Sequence, residues 1–326
     1  MKKCTFHILP ILLCLLTIQG CSQTHTPLVS VIFDTDMGPD YDDVGALTLL
    51  HALADNGEAR ILATISSNRY AFTVPCIDVI NHYYGRPDIP IGAPLDGVDL
   101  EDEHPEKWAE ALPAAFEHRY KTTAQAQDAV QLYRRILAQE PDHSVVIVTV
   151  GFLTNLAALL KSPPDQHSNL TGKELVKKKV SHLVSMAGRF PKGREYNVYI
   201  DTPASIVAFN EWPTSVILSG FEIGKEILTG KRLIASDIPD TPAKVAYTIC
   251  LRQGDPYGRM SWDQTAVLVA VRGTEPYFGT QRGKMVVASD GSNTWEEHPN
   301  GPHQYLTWKM AVEPLTTIIE DLMMHP

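Results

Sequence analysis

The chain has 326 residues, of which 44% are hydrophobic and 20% are charged, and its formal net charge at pH 7 is −10. This composition is typical of a globular protein with enough apolar mass for a large core. The densest basic run is the lysine triplet at 177–179, which suits a solvated helix face. Because binding to a nucleic-acid backbone needs a concentrated basic surface, we expect no nucleic-acid partner.

The N-terminal segment has the pattern of a signal peptide rather than of a folded element. Lys2 and Lys3 precede an apolar run at 8–18, which is too short for a comfortable membrane span. The residues Leu-Thr-Ile-Gln-Gly before Cys21 resemble the bacterial lipoprotein signal, in which small residues precede a cysteine that becomes acylated. An ordinary signal peptide with an incidental cysteine is the alternative.

This pattern divides the chain into three parts. We predict a signal peptide at 1–20, a short polar tether from the acylated cysteine at 21–27, and one folded domain at 28–326. The lipid would hold the domain at the periplasmic face of a bacterial cell envelope and would be its only membrane contact. Within the body, Cys76 and Cys250 could form a disulfide in an oxidising compartment or remain buried thiols.

Apolar runs rich in β-branched residues alternate with helix-like segments along the body. In chain order, we predict strands at 28–33, 60–66, 144–150, 180–186 and 214–218. We predict helices at 44–54, after the second strand up to about residue 84, at 153–160 and through 204–209. This alternation indicates an α/β fold with a largely parallel central sheet flanked by helices. The polar, helix-prone segments 98–127 and 161–175 are predicted to be insertions on a single domain. Ligands of such sheets bind at the carboxyl ends of the strands.

The strongest chemical signal is the segment at 34–43, Asp-Thr-Asp-Met-Gly-Pro-Asp-Tyr-Asp-Asp, directly after the first predicted strand. Its five carboxylates would repel one another, and burial would raise their pKa values. A hard divalent cation resolves this conflict, and carboxylate oxygens suit calcium or magnesium. Gly38 permits a tight turn, and Asp42 and Asp43 suit a helix N-terminus, where the helix dipole favours negative charge. A solvated acidic loop with an aspartate cap is the alternative.

Asp-Thr-Asp-x-Gly followed by Asp-Asp at a helix start resembles the signature of the inosine–uridine preferring nucleoside hydrolases. Other segments match in order along the chain: 64–68, which ends in a site Asn, 151–157 (Gly-Phe-Leu-Thr-Asn-Leu-Ala), 186–188 (Met-Ala-Gly), 195–197 (Glu-Tyr-Asn) with Asp201 and Pro203 beyond, and 262–263 (Trp-Asp). Each motif alone is weak, but the ordered set is specific. The resemblance implies a hydrolase domain that cleaves the N-glycosidic bond of a nucleoside or related N-riboside.

The resemblance also implies roles for individual residues. The cation ligands would be Asp36, Asp43, the backbone carbonyl of Thr154, and Asp263. The residues around the ribose would be Asp42, Asn68, Met186, Glu195 and Asn197. Asp36 would also accept a proton from the attacking water, while the cation lowers the pKa of that water and orients the sugar diol. The resemblance favours Ca²⁺ over Mg²⁺, and association into a homo-oligomer is a further possibility.

The sequence departs from the family pattern in two loops. The acidic loop is two residues longer than usual, so Asp40 could take the role of Asp36 or Asp42. The loop between the Met-Ala-Gly and Glu-Tyr-Asn motifs is short, and it lacks the asparagine that often touches the sugar. It carries three basic residues instead: Arg189, Lys192 and Arg194. These suit either a phosphate or carboxylate on the substrate or a solvent-facing loop.

Trp262 stands where the family usually has a histidine that protonates the leaving base. An indole cannot act as that acid, although it could stack on a base or belong to the core. A nucleoside or sugar receptor that has lost turnover on the same scaffold is therefore an alternative function. A second alternative is a haloacid-dehalogenase phosphatase with Asp34 as nucleophile, but Gly38 stands where that class wants Thr or Val.

Overall fold

The computed structural model describes residues 1–2, 28–102 and 104–326. The predicted signal peptide beyond residue 2, its acylation site Cys21 and the tether at 21–27 lie outside the described residues. Within the described part of the chain, no helix is both long enough and apolar enough to cross a bilayer. Cys76 and Cys250 are both buried and free, so of the two arrangements left open by the sequence the structure has two thiols.

The strands are short and most of those in the first two thirds of the chain are apolar. Their bounds are β1 Val29–Thr35, β2 Ala59–Ser66, β3 Ile91–Ala93, β4 Gln127–Asp128, β5 Val145–Thr149, β6 Val180–Met186, β7 Lys192–Arg194, β8 Ser215–Ser219, β9 Leu228–Thr229, β10 Arg259–Met260, β11 Phe278–Val287, β12 Ser292–Glu297 and β13 His303–Trp308.

The helices connect and cover these strands. Their bounds are α1 Asp42–Asp55, α2 Thr73–Tyr83, α3 Trp108–Ala115, α4 Ala129–Gln139, α5 Thr154–Lys161, α6 Gly172–Lys179, α7 Tyr196–Ile200, α8 Thr202–Glu211, α9 Phe221–Gly224, α10 Lys231–Ala235, α11 Pro242–Gln253, α12 Trp262–Arg272 and α13 Val312–Met323. A 3₁₀ turn at Thr123–Gln125 precedes β4.

The described residues form one eleven-stranded sheet in the order β4-β3-β2-β1-β5-β6-β8-β13-β11-β12-β7 and a small antiparallel sheet of β9 and β10. Every neighbouring pair from β4 to β13 in this order is parallel. The predicted largely parallel α/β sheet is thus confirmed. Its central strands are continuous apolar runs, as in the fully buried Val-Val-Ile-Val-Thr of β5, because helices cover both faces.

The far edge of the sheet differs from the prediction. There β11, β12 and β7 pair in antiparallel fashion beyond β13. In β11 only one face meets the core, so buried and exposed residues alternate and no continuous apolar run marks the strand. The segment at 98–127, predicted as an insertion, contributes α3, whose Trp108 is fully buried. This insertion is therefore part of the core.

Two central helices bring acidic residues into the interior. Helix α1 is buried from Asp42 to Leu53, and α12 is buried from Asp263 to Val271. The two helices pack against each other, and a helix that is largely apolar around its circumference belongs in a core. Their first turns therefore carry carboxylates to the carboxyl end of β1, which fixes the position of the site described next.

Candidate active site

Five aspartates meet in one cavity beside the end of β1. Asp36 follows β1, and Asp42 and Asp43 open α1. Asp263 reaches the same point from α12, and its backbone N–H donates to Asp42 Oδ2 at 3.3 Å. Together with Asp40 these residues line a cavity of about 260 Å³, and they are named the acidic wall from here on.

The acidic wall concentrates negative charge in a buried place. Burial and the charges of neighbouring carboxylates raise the pKa values of Asp36, Asp42 and Asp263 well above their usual range. Burial, followed by the charge of Asp40, raises the pKa of Asp43 to about 8. Carboxylate oxygens of Asp40, Asp42 and Asp43 lie within 4.8 Å of one another. This donor set of closely spaced oxygens, with too little positive charge around it, fits a hard divalent cation.

The turn between β1 and α1 aims these carboxylates at one point. The Thr35 hydroxyl donates to Asp43 Oδ1 and accepts from the backbone N–H of Met37 at 3.2 Å. Gly38 has a φ of +149°, and a Cβ at this position would lie 3.1 Å from the ring of Tyr70 and 3.2 Å from Asn68 Nδ2. The turn therefore requires glycine for both its dihedral angle and its close packing.

Arg259, which the sequence analysis missed, is the positive charge nearest to the acidic wall. Its Nη2 lies 2.6 Å from Asp40 Oδ2 and 3.4 Å from Asp42 Oδ1, and its Nη1 lies 3.7 Å from Asp255 Oδ2. Burial acts to raise the pKa of Asp40, but the Arg259 guanidinium and hydrogen bonds with Asp42 together outweigh it, and the pKa is lowered. Asp40 is thus the member of the wall that already has a cationic partner.

The guanidinium of Arg259 is also fixed by aromatic neighbours. It lies 5.0 Å from the ring centre of Tyr41 and 5.3 Å from that of Trp262. The Tyr41 hydroxyl in turn donates to Asp255 Oδ2 at 2.6 Å. In the sequence, Asp255 lies in a Gly-Pro stretch at 254–258 that precedes Trp262, but nothing there indicates its pairing with Tyr41, which is 214 positions away in the chain.

Asp34 does not line the cavity, although it belongs to the same acidic segment. It is buried, and its Oδ2 accepts hydrogen bonds from the Tyr133 hydroxyl at 2.8 Å and from Asn155 Nδ2 at 3.1 Å. Burial raises its pKa to about 7. Asp34 therefore connects the first turn of α5, which contains Asn155, to the end of β1. It does not offer the accessible nucleophile that a phosphatase would need.

Four of the residues predicted around the ribose line the cavity: Asp42, Met186, Glu195 and Asn197. Asn197 Nδ2 donates to the carbonyl oxygens of Val150 at 2.9 Å and Met186 at 3.2 Å. Its Oδ1 has no hydrogen-bond partner among the described residues and can accept from a hydroxyl group. Glu195 caps α7 by accepting from the N–H groups of Asn197 and Val198, and burial raises its pKa to about 7.

Asn68 and Thr154, which were also predicted for the site, lie outside the cavity lining. The Asn68 amide has all four of its hydrogen-bonding positions in use: Nδ2 donates to the carbonyl oxygens of Asp36 and Leu100, and Oδ1 accepts from the N–H groups of Tyr70 and Leu100. Asn68 therefore supports the acidic turn. The Thr154 hydroxyl donates to Asp201 Oδ2 at 2.5 Å, and the ligand role of its carbonyl stays a prediction.

Four aromatic side chains line the same cavity and give it apolar ring surfaces as well as carboxylates. They are named the aromatic wall: Tyr196, Tyr199, Phe221 and Trp262. The Trp262 ring centre lies 5.3 Å from that of Phe221, at an interplanar angle of 31°. Its Nε1 donates to the Phe221 carbonyl oxygen at 2.8 Å, so the indole N–H is already used within the protein. Trp262 thus presents a ring for stacking rather than a proton donor.

Comparison with known proteins begins with the sequence. The family model described as inosine-uridine preferring nucleoside hydrolase matches residues 31–309. The pyrimidine-specific ribonucleoside hydrolase RihA of Citrobacter koseri is 28% identical over 204 residues, which are 59% of this chain and 60% of that protein. The match thus spans less than two thirds of that relative's length.

Solved structures with the same fold have low sequence identity. The plant nucleoside hydrolase PpNRh1 has a TM-score of 0.69 at 20% identity, over 92% of this chain and 100% of that one. A purine-preferring ribonucleoside hydrolase from Gardnerella vaginalis has a TM-score of 0.69 at 18% identity, over 91% and 100% of the two chains. Because the family model covers most of its length, the chain belongs to the inosine-uridine preferring nucleoside hydrolase family.

Proposed function

We propose that this protein hydrolyses the N-glycosidic bond of a ribonucleoside or related N-riboside, with a divalent cation held by the acidic wall. The observation that carries the proposal is the convergence of Asp263 with Asp36, Asp42 and Asp43, residues more than 200 positions apart in the chain, in one buried cavity. Neither a solvated acidic loop nor a phosphatase nucleophile accounts for that convergence.

We assign the cation to Asp36, Asp43 and Asp263, with the carbonyl of Thr154 as the predicted fourth ligand. Of these, Asp43 also belongs to the group of Asp40, Asp42 and Asp43, whose carboxylate oxygens lie within 4.8 Å of one another. Asp40 is not assigned as a ligand because it is paired with Arg259, and Asp42 is not because it is predicted to contact the ribose. When bound, the cation supplies charge that lowers the pKa of a water molecule and orients the sugar diol. We favour calcium over magnesium because calcium accepts several carboxylates in irregular arrangements, whereas magnesium demands near-ideal octahedral geometry.

The side chains of the cavity have separate tasks in this reaction. Asp36 accepts a proton from the attacking water as the water oxygen bonds to C1′ and the electrons of the C1′–N bond leave with the base. Positive charge builds on the sugar ring in such a reaction, and the carboxylates of Asp42 and Asp263 stabilise it. Asn197 Oδ1 accepts from a ribose hydroxyl, while Met186 packs beside the ring.

The aromatic wall receives the leaving base. Trp262 and Phe221 offer ring faces on which a planar base can stack. Because the Trp262 N–H is committed to the Phe221 carbonyl, Trp262 does not protonate the base. The substrates favoured are therefore those whose leaving group departs with little assistance from an acid.

The cellular setting is also part of the proposal. Acylation at Cys21 would hold the domain at the periplasmic face of the cell envelope, where nucleosides from outside the cell are accessible. Mass spectrometry of the membrane fraction, with Cys21→Ser as the comparison, tests this: the wild type should carry a lipid at residue 21, and the variant should not. A homo-oligomer remains a separate expectation, to be measured by light scattering.

The activity is tested with a panel of nucleosides, by measuring release of reducing sugar from the purified chain. Activity should disappear with a chelator and return more fully with calcium than with magnesium. Asp263→Asn should abolish the calcium response, whereas Asp40→Asn should retain it, because Asp40 is paired with Arg259. Calcium-dependent nucleoside binding without any release of sugar would instead establish the receptor that Trp262 makes an alternative.

A further inference from the structure

Among the described residues that line the cavity, Arg194 is the one cationic side chain, and the others are acidic, aromatic, apolar or amide side chains. Of the three basic residues between the Met-Ala-Gly and Glu-Tyr-Asn motifs, Arg194 belongs to the described cavity lining, and Arg189 and Lys192 do not. Arg194 ends β7 and directly precedes Glu195. The hydrolysis proposed above makes no use of this positive charge.

The guanidinium of Arg194 is held in place by contacts that leave its outer edge open. Its Cζ lies 3.9 Å from the ring centre of Tyr199, a member of the aromatic wall, and its Nε donates to the carbonyl oxygen of Asp290 at 3.0 Å. The backbone at this position pairs with Ser292 of β12. Among residues 28–102 and 104–326, neither of its terminal nitrogens has a hydrogen-bond partner, so the two remain available as a fork.

A stacked guanidinium with a free fork matches one kind of ligand group. Two parallel N–H donors fit the oxygens of a phosphate or carboxylate, and a guanidinium already oriented by an aromatic ring loses little freedom on binding. Arg189 lies outside the cavity lining, with its Cζ 5.0 Å from the ring centre of Phe221, so the anion is assigned to Arg194 alone. The carboxylates of the acidic wall would repel an anion anywhere else in this cavity.

The position of Arg194 indicates which part of the substrate carries the anion. In the proposed reaction, the vicinal 2′ and 3′ hydroxyls of the ribose contact the acidic wall and the cation, and the base leaves from C1′ beside Trp262. The remaining substituent position is the exocyclic C5′. Arg194 lines the same cavity as Glu195 and Asn197, the residues assigned to the sugar, and its guanidinium stacks on Tyr199 of the aromatic wall. We therefore assign its fork to the junction of the sugar side and the aromatic wall, where a substituent on C5′ would lie.

We propose that Arg194 binds an anionic group carried on the sugar, and that the preferred substrate is a phosphorylated riboside such as a nucleoside 5′-monophosphate. This inference rests on the proposed function for the orientation of the sugar. Arg194 is a specificity-determining residue in this assignment, and it takes no part in breaking the glycosidic bond.

The test compares a nucleoside with the 5′-monophosphate of the same nucleoside, in the wild type and in three variants. In the wild type we expect kcat/KM to be about tenfold higher for the monophosphate, mainly through KM, and in Arg194→Gln we expect this ratio to fall toward one. Arg194→Lys keeps the charge without the planar fork and should retain part of the ratio. Arg189→Gln is the matched control, and it should retain most of the ratio because Arg189 is not in the cavity lining.

The remaining outcomes also decide the matter. A wild-type ratio at or below one, or an unchanged ratio in Arg194→Gln, overturns the inference. A second comparison uses a nucleoside that carries a carboxylate on the base. If the enzyme prefers this substrate and the preference requires Arg194, the anion belongs to the leaving base, and the placement on the sugar is overturned. If no base is released from any substrate, the proposed function fails separately. Calorimetry with the 5′-monophosphate and calcium then decides, since about tenfold weaker binding to Arg194→Gln supports the subsite and equal binding overturns it.

Discussion

The acidic wall and the aromatic wall line the same cavity, but their residues lie on different kinds of secondary-structure elements. The acidic wall stands on the β1 turn and on the first turns of α1 and α12, helices that are buried along most of their length. The aromatic wall stands mainly on the short helices α7 and α9, and its Tyr196 is 39% exposed. In the proposed reaction, the core would therefore fix the groups that react, while surface segments, which tolerate change, would contact the base.

The largest effect expected from this difference follows the loss of Asp36. Asp36→Asn removes the proton acceptor and a cation ligand at once, and kcat should fall by about 10³-fold, within the range seen for general bases. The measurement is steady-state release of reducing sugar at saturating calcium and substrate.

Asp40→Asn is the matched control for this prediction. Its carboxylate lies in the same wall but is paired with Arg259 Nη2 at 2.6 Å, so we expect a smaller loss of kcat than for Asp36→Asn. A larger loss for Asp40→Asn than for Asp36→Asn would show that Asp40 performs the role assigned to Asp36, which is the substitution that the longer acidic loop allows.

The next largest effect concerns the charge balance of the acidic wall. Breaking a buried ion pair costs about 3–5 kcal/mol, and since the Asp40 side chain is 42% exposed, we expect Arg259→Gln to lower the free energy of unfolding by about 2 kcal/mol in a chelator. Calcium should restore much of the lost free energy of unfolding, because the bound cation balances the negative charge of the carboxylates that Arg259 no longer pairs.

Urea unfolding in chelator and in calcium measures both parts of this prediction. Arg259→Lys keeps the charge and should lose less stability than Arg259→Gln in the chelator. If both variants match the wild type there, Arg259 does not balance the acidic wall. If calcium stabilises Arg259→Gln less than it stabilises the wild type, the guanidinium instead helps to form the cation site.

The acidic wall could be predicted from the sequence because each of its parts has a local signal. Asp36 follows an apolar strand, and Asp42, Asp43 and Asp263 each stand at the start of an apolar helix. The parallel sheet was predictable for the same reason, since buried parallel strands are continuous apolar runs. The antiparallel edge, with its half-exposed β11, lacks that signal.

Pairings between distant segments account for what the sequence did not reveal. Arg259 begins β10, in the small β9–β10 sheet, and nothing near it in the chain indicates that it meets Asp40. The motif that ends in Asn68 predicts a polar residue near the site, but the bonds of its amide to Leu100 depend on how a long insertion folds back. The sequence therefore predicted a polar residue at position 68, but it could not predict that all hydrogen-bonding positions of the Asn68 amide are used within the protein.

A smaller effect is expected at the junction of the two walls, where Trp262 precedes Asp263. Trp262→Phe keeps an aromatic ring but removes the N–H that donates to the Phe221 carbonyl at 2.8 Å. A hydrogen bond of this kind contributes about 1 kcal/mol, so we expect kcat/KM to fall about fivefold, mostly through KM. A fall confined to kcat would indicate that the indole acts on the departing base, contrary to the stacking role.

The smallest effect separates Glu195 from the acidic wall by its pH dependence. Burial raises its pKa to about 7 in the folded protein, above the ordinary value of 4.5, so folding favours the neutral acid. Glu195 therefore contributes most stability below pH 4.5, and this contribution is lost as the pH rises through 7. Gln at position 195 stays neutral throughout, and the aspartates of the acidic wall titrate in both proteins, so their contribution cancels in the difference. The wild type minus variant difference in the free energy of unfolding should thus decline between pH 4.5 and 7, and a flat or rising difference would contradict the burial of a carboxyl group at the sugar end of the cavity.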